Sequence, residues 1–487
     1  MTGTVTLPTW VFVVLLVLAL WALLERLLVP GVRWYFRRKV SRVIREIGTR
    51  LNIELPQFKL ARRQALIDRL FHDSKVQDAI ARECGEKGLP REVVAARVDR
   101  YAREIVPAFN AYFYFRIGYW LSKKFATLLY RVRVGYADST ALAAVNPGSS
   151  IVFVMNHRSN MDYVLVAFLA AERVAISYAV GEWARVWPLQ QLIRSMGAYF
   201  VRRNSGDPLY RMVLQRYVQM AVEAGVPQAL YPEGGLSVDG RLRPPKLGLL
   251  DYMLKAFDPA GERDLVFIPV GINYDRALED RTLLLKLDAA APQRGALYAV
   301  ARAAAFLARN LWLVLTGRWY RFGYACVNFG APLSMREYVR RQGFDFRRLD
   351  EESRHREVER VGARVMEAIA RIVPVLPVSL IATVFLRGRD AGWSELELKS
   401  AAYDLILRLE KAGAHIYVPR GDLDYAIGVG LRMLLLRHVV EERDGLFRVG
   451  PAEAGLLSYY ANAIEPLVAA AGGLRQASPA MGDAGAR

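Results

Sequence analysis

From about residue 148 the chain alternates between two periods of hydrophobicity. Short runs rich in β-formers, at Ser150 to Met155, Ala175 to Val180, Tyr199 to Val201, Gln228 to Tyr231, Leu265 to Ile272 and Phe322 to Phe329, alternate with stretches whose apolar residues recur at helical spacing, such as Pro208 to Glu223. Strands alternating with helices predict an α/β fold with a mixed, largely parallel sheet flanked by helices. Before this stretch, residues 31 to about 135 read as helical, most clearly Glu92 to Ile105 and Ala111 to Tyr130. After it, Glu395 to Lys411 and Asp424 to Val440 read as helices, and Glu441 to Val449 as two short strands around Asp444-Gly445, a hairpin signal. Leu297 to Leu315 is a basic, apolar helical run. Ile372 to Leu386 is apolar but interrupted by Pro374 and Pro377, and at 15 residues it is too short to cross a bilayer. The expected organisation is a membrane anchor (1–30), a helical region (31–147), an α/β domain (148–345), a small α+β C-terminal module (346–471) and a disordered tail (472–487).

The N-terminal pattern is of another kind. Leu7 to Leu24 is 18 residues without a charge, followed by Arg33, Arg37, Arg38, Lys39, Arg42 and Arg45. That length is at the threshold for spanning a hydrocarbon core, and the basic cluster assigns the downstream side to the cytoplasm. An uncleaved anchor is the expectation, with a helix lying in the interface or a cleaved signal as alternatives.

Composition sharpens this. The 487 residues carry 67 Lys plus Arg against 48 Asp plus Glu, a formal +19, while 53% are hydrophobic. A chain this apolar buries a core, so extended disorder is excluded. Two distant cysteines, Cys84 and Cys326, exclude a disulfide scaffold and a cysteine-rich zinc module. A basic excess suits nucleic acid or anionic membrane. The basic residues are spread over the chain instead of lying on one recognition helix, and with the apolar N-terminus they point to lipid; a non-catalytic, membrane-bound binding protein is the rival from another class.

Four segments carry candidate chemistry. His157 follows the first predicted strand of the α/β stretch, where open α/β sheets bind ligands. Asp162 lies five residues on, in the first turn of the next helix. It can fold back on the imidazole, fix its tautomer and stabilise the imidazolium formed when the other nitrogen takes a proton. The bland alternative is that Ser159 or Asn160 caps the helix and Asp162 complements its dipole. Gly197 to Arg203 ends a strand with Arg202 and Arg203, whose planar guanidinium groups suit a phosphate. Tyr231-Pro232-Glu233-Gly234-Gly235 ends another strand with a carboxylate and two glycines that let backbone approach a ligand. Gly240 to Lys246 adds Arg241, Arg243 and Lys246. No second His or Cys stands at ligand spacing from His157, so no metal is expected.

In this order the segments resemble the glycerolipid acyltransferases. The match covers about 150 to 275: H-x-x-x-x-D at His157 to Asp162, G-x-x-F-x-R-R at Gly197 to Arg203, the E-G block at Glu233 to Gly235, and Phe267-Ile268-Pro269-Val270. Leu457 to Asn462 is similar to the C-terminal part of bacterial glycerol-3-phosphate acyltransferases. The resemblance implies acyl transfer from an acyl thioester, acyl-CoA or acyl carrier protein, to the sn-1 hydroxyl of glycerol 3-phosphate at the inner membrane, without a cofactor. It further implies His157 as general base, Asp162 orienting it, and Arg202, Arg203, Glu233, Gly234, Gly235, Arg241 and Lys246 at the substrate, with backbone N–H groups near Gly234 or at the start of the helix after His157 stabilising the oxyanion. A lysophosphatidate or dihydroxyacetone-phosphate acyltransferase is the alternative. One departure stands out: relatives usually carry arginine directly after the two glycines and again two residues on, and here those positions are Leu236 and Val238.

Overall fold

The computed structural model describes residues 56–170, 176–181, 189–202, 205–287, 312, 321–388 and 392–473. The apolar run Leu7 to Leu24, the basic cluster after it, nearly all of Leu297 to Leu315 and the tail beyond residue 473 lie outside them. Among the described residues no helix is long and apolar enough to cross a membrane.

The main sheet is built from β1 (Arg131–Ala137), β2 (Ser150–Met155), β3 (Ser177–Val180), β4 (Tyr199–Phe200), β5 (Gln228–Leu230), β6 (Leu265–Tyr274), β7 (Tyr324–Phe329) and β8 (Leu333–Ser334), in the order β1-β7-β6-β2-β5-β3-β4 with β8 on β6. Strands β6, β2, β5, β3 and β4 run parallel, whereas β7 and β8 are antiparallel to β6. The expected α/β class with a mixed, largely parallel sheet is what the chain adopts. All ten residues of β6 are buried, as a central strand covered on both faces requires.

One strand lies where the pattern reads as helix. Strand β1 ends the N-terminal helical stretch and pairs in parallel with β7 alone, nearly 200 residues further on. Most of its side chains are exposed, so this edge strand lacks the apolar run that marks the others, and only its distant partner defines it.

Helices α1 (Arg63–Phe71), α2 (Ser74–Lys87) and α3 (Arg91–Ile105) pack with α4 (Pro208–Glu223) on one face of the sheet. The long α5 (Glu351–Ile372) and the buried α6 (Pro377–Arg387) follow the sheet strands. The apolar run is core from Ile372 to Phe385, and only its last residue, Leu386, is exposed. Its chain breaks at Val373 to Leu376 and re-enters helix at Pro377, where the missing N–H costs nothing. Polar side chains of the sheet bind the break: Asn328 donates to the Ile372 carbonyl (2.9 Å), Asn273 donates to the Pro374 carbonyl (2.9 Å), and Asp275 accepts from the Val378 N–H (3.1 Å). The C-terminal α7 (Leu423–Leu435) and α8 (Ala454–Ala461) then pack on α6. The hairpin forms as expected, Val440–Arg443 pairing with Leu446–Val449 around Asp444 and Gly445, both at positive φ.

A single hydrophobic cluster joins the N-terminal helices, one sheet face and the C-terminal helices. One close approach holds the C-terminal part to the β5 loops. Gly240 has φ +87°, and a Cβ there would lie 2.0 Å from the Tyr459 carbonyl oxygen. Strain of left-handed backbone and overpacking together predict that Gly240→Ala lowers stability by about 2–4 kcal/mol. Urea denaturation measures this; an unchanged midpoint would contradict the packing.

Candidate functional site

The C-terminal ends of three neighbouring parallel strands build the site. Strand β2 delivers Asn156 to Asn160, β5 delivers Tyr231 to Gly235, and β6 ends at Tyr274. Asn156 pins its loop to β6 by a two-way bond, donating to the Ile272 carbonyl (2.9 Å) and accepting the Ile272 N–H (2.7 Å).

His157 and Asp162 are brought together. Asp162 sits in the first turn of the helix Met161–Ala170, and its Oδ2 lies 2.8 Å from His157 Nδ1. The same oxygen accepts the N–H groups of Arg158 (2.7 Å) and Ser159 (3.1 Å), while Oδ1 accepts the Tyr274 hydroxyl (2.6 Å). Acceptance by a carboxylate puts the imidazole proton on Nδ1 and leaves Nε2 as the acceptor. The ring is stacked on Tyr231, centroids 4.0 Å apart at 21°.

Glu233 is buried and acts as a backbone clamp. Its two oxygens accept the N–H groups of His157 (2.8 Å) and Arg243 (3.0 Å), tying the β2 loop to the loop after β5. Burial pushes its carboxyl up to about 7, outweighing these two bonds and the nearby Arg158 charge, which favour the ionised form. Between pH 4.5 and 7 the folded protein therefore holds a proton that the unfolded chain has released. The stability this provides is full below about 4.5 and is lost as pH rises through 7. Urea midpoints taken from pH 4.5 to 8 are expected to fall in the wild type relative to Glu233→Gln; parallel profiles would contradict the shift.

Ser159 Oγ and the Asn160 side chain donate to Glu279, at 2.6 and 3.1 Å. Arg158 is buried, donates to the Gly240 carbonyl, and lies over the Tyr459 ring at 4.7 Å, so the C-terminal helix supports the β2 loop. The adjoining Tyr460 donates to Asp280, and Asn462 Nδ2 donates to the Asp239 carbonyl (2.9 Å). Spacing alone did not single out Tyr274, Glu279 or Arg158. Their only signal was position, at or just beyond a strand's C-terminal end.

His157 faces a cleft of about 340 Å³ walled by Val180, Val201, Leu214, Leu230, Leu249 and Tyr252. Of the expected substrate contacts, Gly234 and Lys246 line it. Arg202 lines it too, but its guanidinium is held bidentately by Glu104, with Nε–Oε1 at 2.8 Å, and lies over the Tyr101 and Tyr210 rings. Arg241 is exposed and is not among the residues lining the cleft, Gly235 is half-buried beside Gly234, and Arg203 lies outside the described residues. Leu236 and Val238 pack against the main hydrophobic cluster. Backbone N–H groups from His157 to Asp162 all have acceptors already: Glu233 for His157, Asp162 for Arg158 and Ser159, Glu279 for Asn160, and Ser159 for Met161 and Asp162.

Comparison with known proteins finds a likeness in two stretches of the chain. Residues 137–273 match the acyltransferase family, and residues 310–474 match the glycerol-3-phosphate acyltransferase C-terminal region. Glycerol-3-phosphate acyltransferases of Pseudomonas putida and Pseudomonas entomophila are each 28% identical, over 83% and 87% of this chain and 48% and 51% of their own. The chain thus spans about half the length of these curated relatives. The 1-acyl-sn-glycerophosphate acyltransferase of Thermotoga maritima aligns over 52% of this chain and 78% of its own at 18% identity and a TM-score of 0.30, a likeness on which nothing is built. The resemblance to the glycerolipid acyltransferases is borne out: one stretch of the chain matches the acyltransferase family and a later one the glycerol-3-phosphate acyltransferase C-terminal region.

Proposed function

We propose that the protein transfers an acyl group from an acyl thioester, of coenzyme A or acyl carrier protein, to the sn-1 hydroxyl of glycerol 3-phosphate. The observation that carries this reading is the His157–Asp162 pair at the head of the cleft, in a chain whose relatives bear that name. His157 Nε2 takes the hydroxyl proton as the oxygen attacks the thioester carbonyl. The tetrahedral oxyanion collapses, the C–S bond breaks, and the thiolate leaves with the proton from the imidazolium. No acyl-enzyme is needed, because the thioester is already activated. Asp162 holds the tautomer and balances the imidazolium charge. With the N–H groups at the start of the helix engaged, and that of Gly234 donated to the Tyr231 carbonyl (2.9 Å), oxyanion stabilisation falls to the Gly235 N–H of the same loop.

The apolar walls suit an acyl chain. A bilayer contact fits the surface as well: Trp120, Leu121, Phe125 and Leu128 are exposed on the helix Tyr119–Leu129, interleaved with Lys123 and Lys124. With Leu7 to Leu24 as anchor, the domain would work on the cytoplasmic face of the inner membrane. The test is incubation of the purified chain with labelled palmitoyl thioester and a panel of glycerol 3-phosphate, lysophosphatidate and dihydroxyacetone phosphate. Acylation of glycerol 3-phosphate alone, or far fastest, is expected; preference for another acceptor would move the assignment to that substrate.

A further inference from the structure

Leu236 and Val238, which follow the two glycines, are partly buried against the main hydrophobic cluster and do not line the cleft. Other cations must then meet an anionic acceptor. Arg202 is poorly placed to do so. Turning it to a ligand would break its bidentate bond to the half-buried Glu104, and breaking such an ion pair is costly. Arg241 points to solvent outside the cleft.

Among the described residues two cationic side chains remain on the cleft wall. Lys246 donates its backbone N–H to the Pro232 carbonyl (2.8 Å), which fixes it beside the end of β5 next to Tyr231, the residue stacked on His157. Its stem lies across Gly234, where a Cβ would stand 2.6 Å from Lys246 Cδ. Gly234 also has φ +66°, so the glycine both makes the turn and leaves the lysine its track. Arg211 enters from the first turn of α4, and its charge acts on the Tyr252 hydroxyl of the same cleft. Among the described residues neither Arg211 nor Lys246 is ion-paired. Both are exposed, so their charges are available at no cost in burial.

We propose that Arg211, on a helix outside the four motif blocks, joins Lys246 as the pair of cations that holds the acceptor's phosphate. This rests on the acyltransferase reading above. A phosphate held on this wall would direct its glycerol hydroxyl toward His157 Nε2, and the apolar walls would be left to the acyl chain. The guanidinium offers a planar fork to two phosphate oxygens and the ammonium a point charge to the third.

The test is initial-rate kinetics of the full chain with palmitoyl-CoA and glycerol 3-phosphate, each varied in turn. Arg211→Gln and Lys246→Gln are each expected to raise the acceptor KM by about tenfold or more, the strength of one charge-assisted hydrogen bond, with the thioester KM unchanged within about twofold. Lys246→Arg, which keeps the charge, is expected to recover most of the loss. Unchanged acceptor KM in both glutamine variants, beside an active wild type, overturns the clamp and leaves the function standing. If the wild type does not acylate glycerol 3-phosphate, the function fails first. Titration calorimetry of inorganic phosphate on the His157→Ala chain then decides the clamp: binding lost in Arg211→Gln supports it, and no binding, or binding indifferent to Arg211, overturns it.

Discussion

Replacing His157 by alanine is expected to lower kcat for acyl transfer by about 10²–10⁴-fold, the usual contribution of a positioned general base, while both KM values stay near those of the wild type. His157 is the sole histidine at the cleft, and Nδ1 is committed to Asp162 at 2.8 Å, so Nε2 is the nitrogen left for the substrate. In the proposed mechanism its loss removes the group that takes the hydroxyl proton and returns it to the thiolate. The fold is expected to survive, because the loop does not depend on the ring: the His157 N–H to Glu233 bond is backbone, and Asp162 keeps the Arg158 and Ser159 N–H groups. Turnover of labelled palmitoyl thioester together with a thermal melt checks both halves. Near-normal turnover in a folded variant would remove the base from the mechanism.

Asp162→Asn is expected to cost a similar factor, about 10²–10⁴ in kcat, for a different reason. Asp162 is fully buried and accepts from His157 Nδ1, two backbone N–H groups and the Tyr274 hydroxyl. Asparagine fits the same space but offers one acceptor oxygen and one amide donor. If the oxygen stays with His157 and the backbone, the imidazolium has lost the charge that balances it. If the amide turns, its NH₂ faces Nδ1 and forces the proton onto Nε2, the tautomer that cannot accept the substrate's proton. Either outcome lowers kcat more than KM. Measured kcat within about tenfold of the wild type would assign Asp162 to supporting the loop and not to the chemistry.

The two substitutions also show which parts of the site were legible in the sequence. The spacing from His157 to Asp162 is local, and a strand ending before the histidine and a helix starting at Met161 suffice to bring them together. The same spacing also admits a plainer role, in which Ser159 or Asn160 caps the helix and Asp162 complements its dipole. In the structure Ser159 Oγ accepts the Met161 N–H at the helix start, while Asp162 accepts the Arg158 and Ser159 N–H groups of the preceding loop and binds the imidazole as well, so one carboxylate orders the loop and holds the ring. Arginine side chains were harder to read. A pair after a strand suggests an anion site, yet Arg202 is claimed by Glu104 from a helix about 100 residues away, and Arg211, at a helix N-terminus with no motif around it, lines the cleft.

By itself the sequence determined the alternating strands and helices, the hairpin at Asp444-Gly445 and the His157–Asp162 unit, because each depends on hydrophobic period, turn chemistry or contacts a few residues apart. Only the tertiary structure decided strand β1, the support of Arg158 by Tyr459, the Tyr274 hydroxyl on Asp162, and which cations face the cleft. Those features pair residues from about 100 to 300 positions apart, and whether a charged side chain is free or spent depends on the neighbour that folding brings to it.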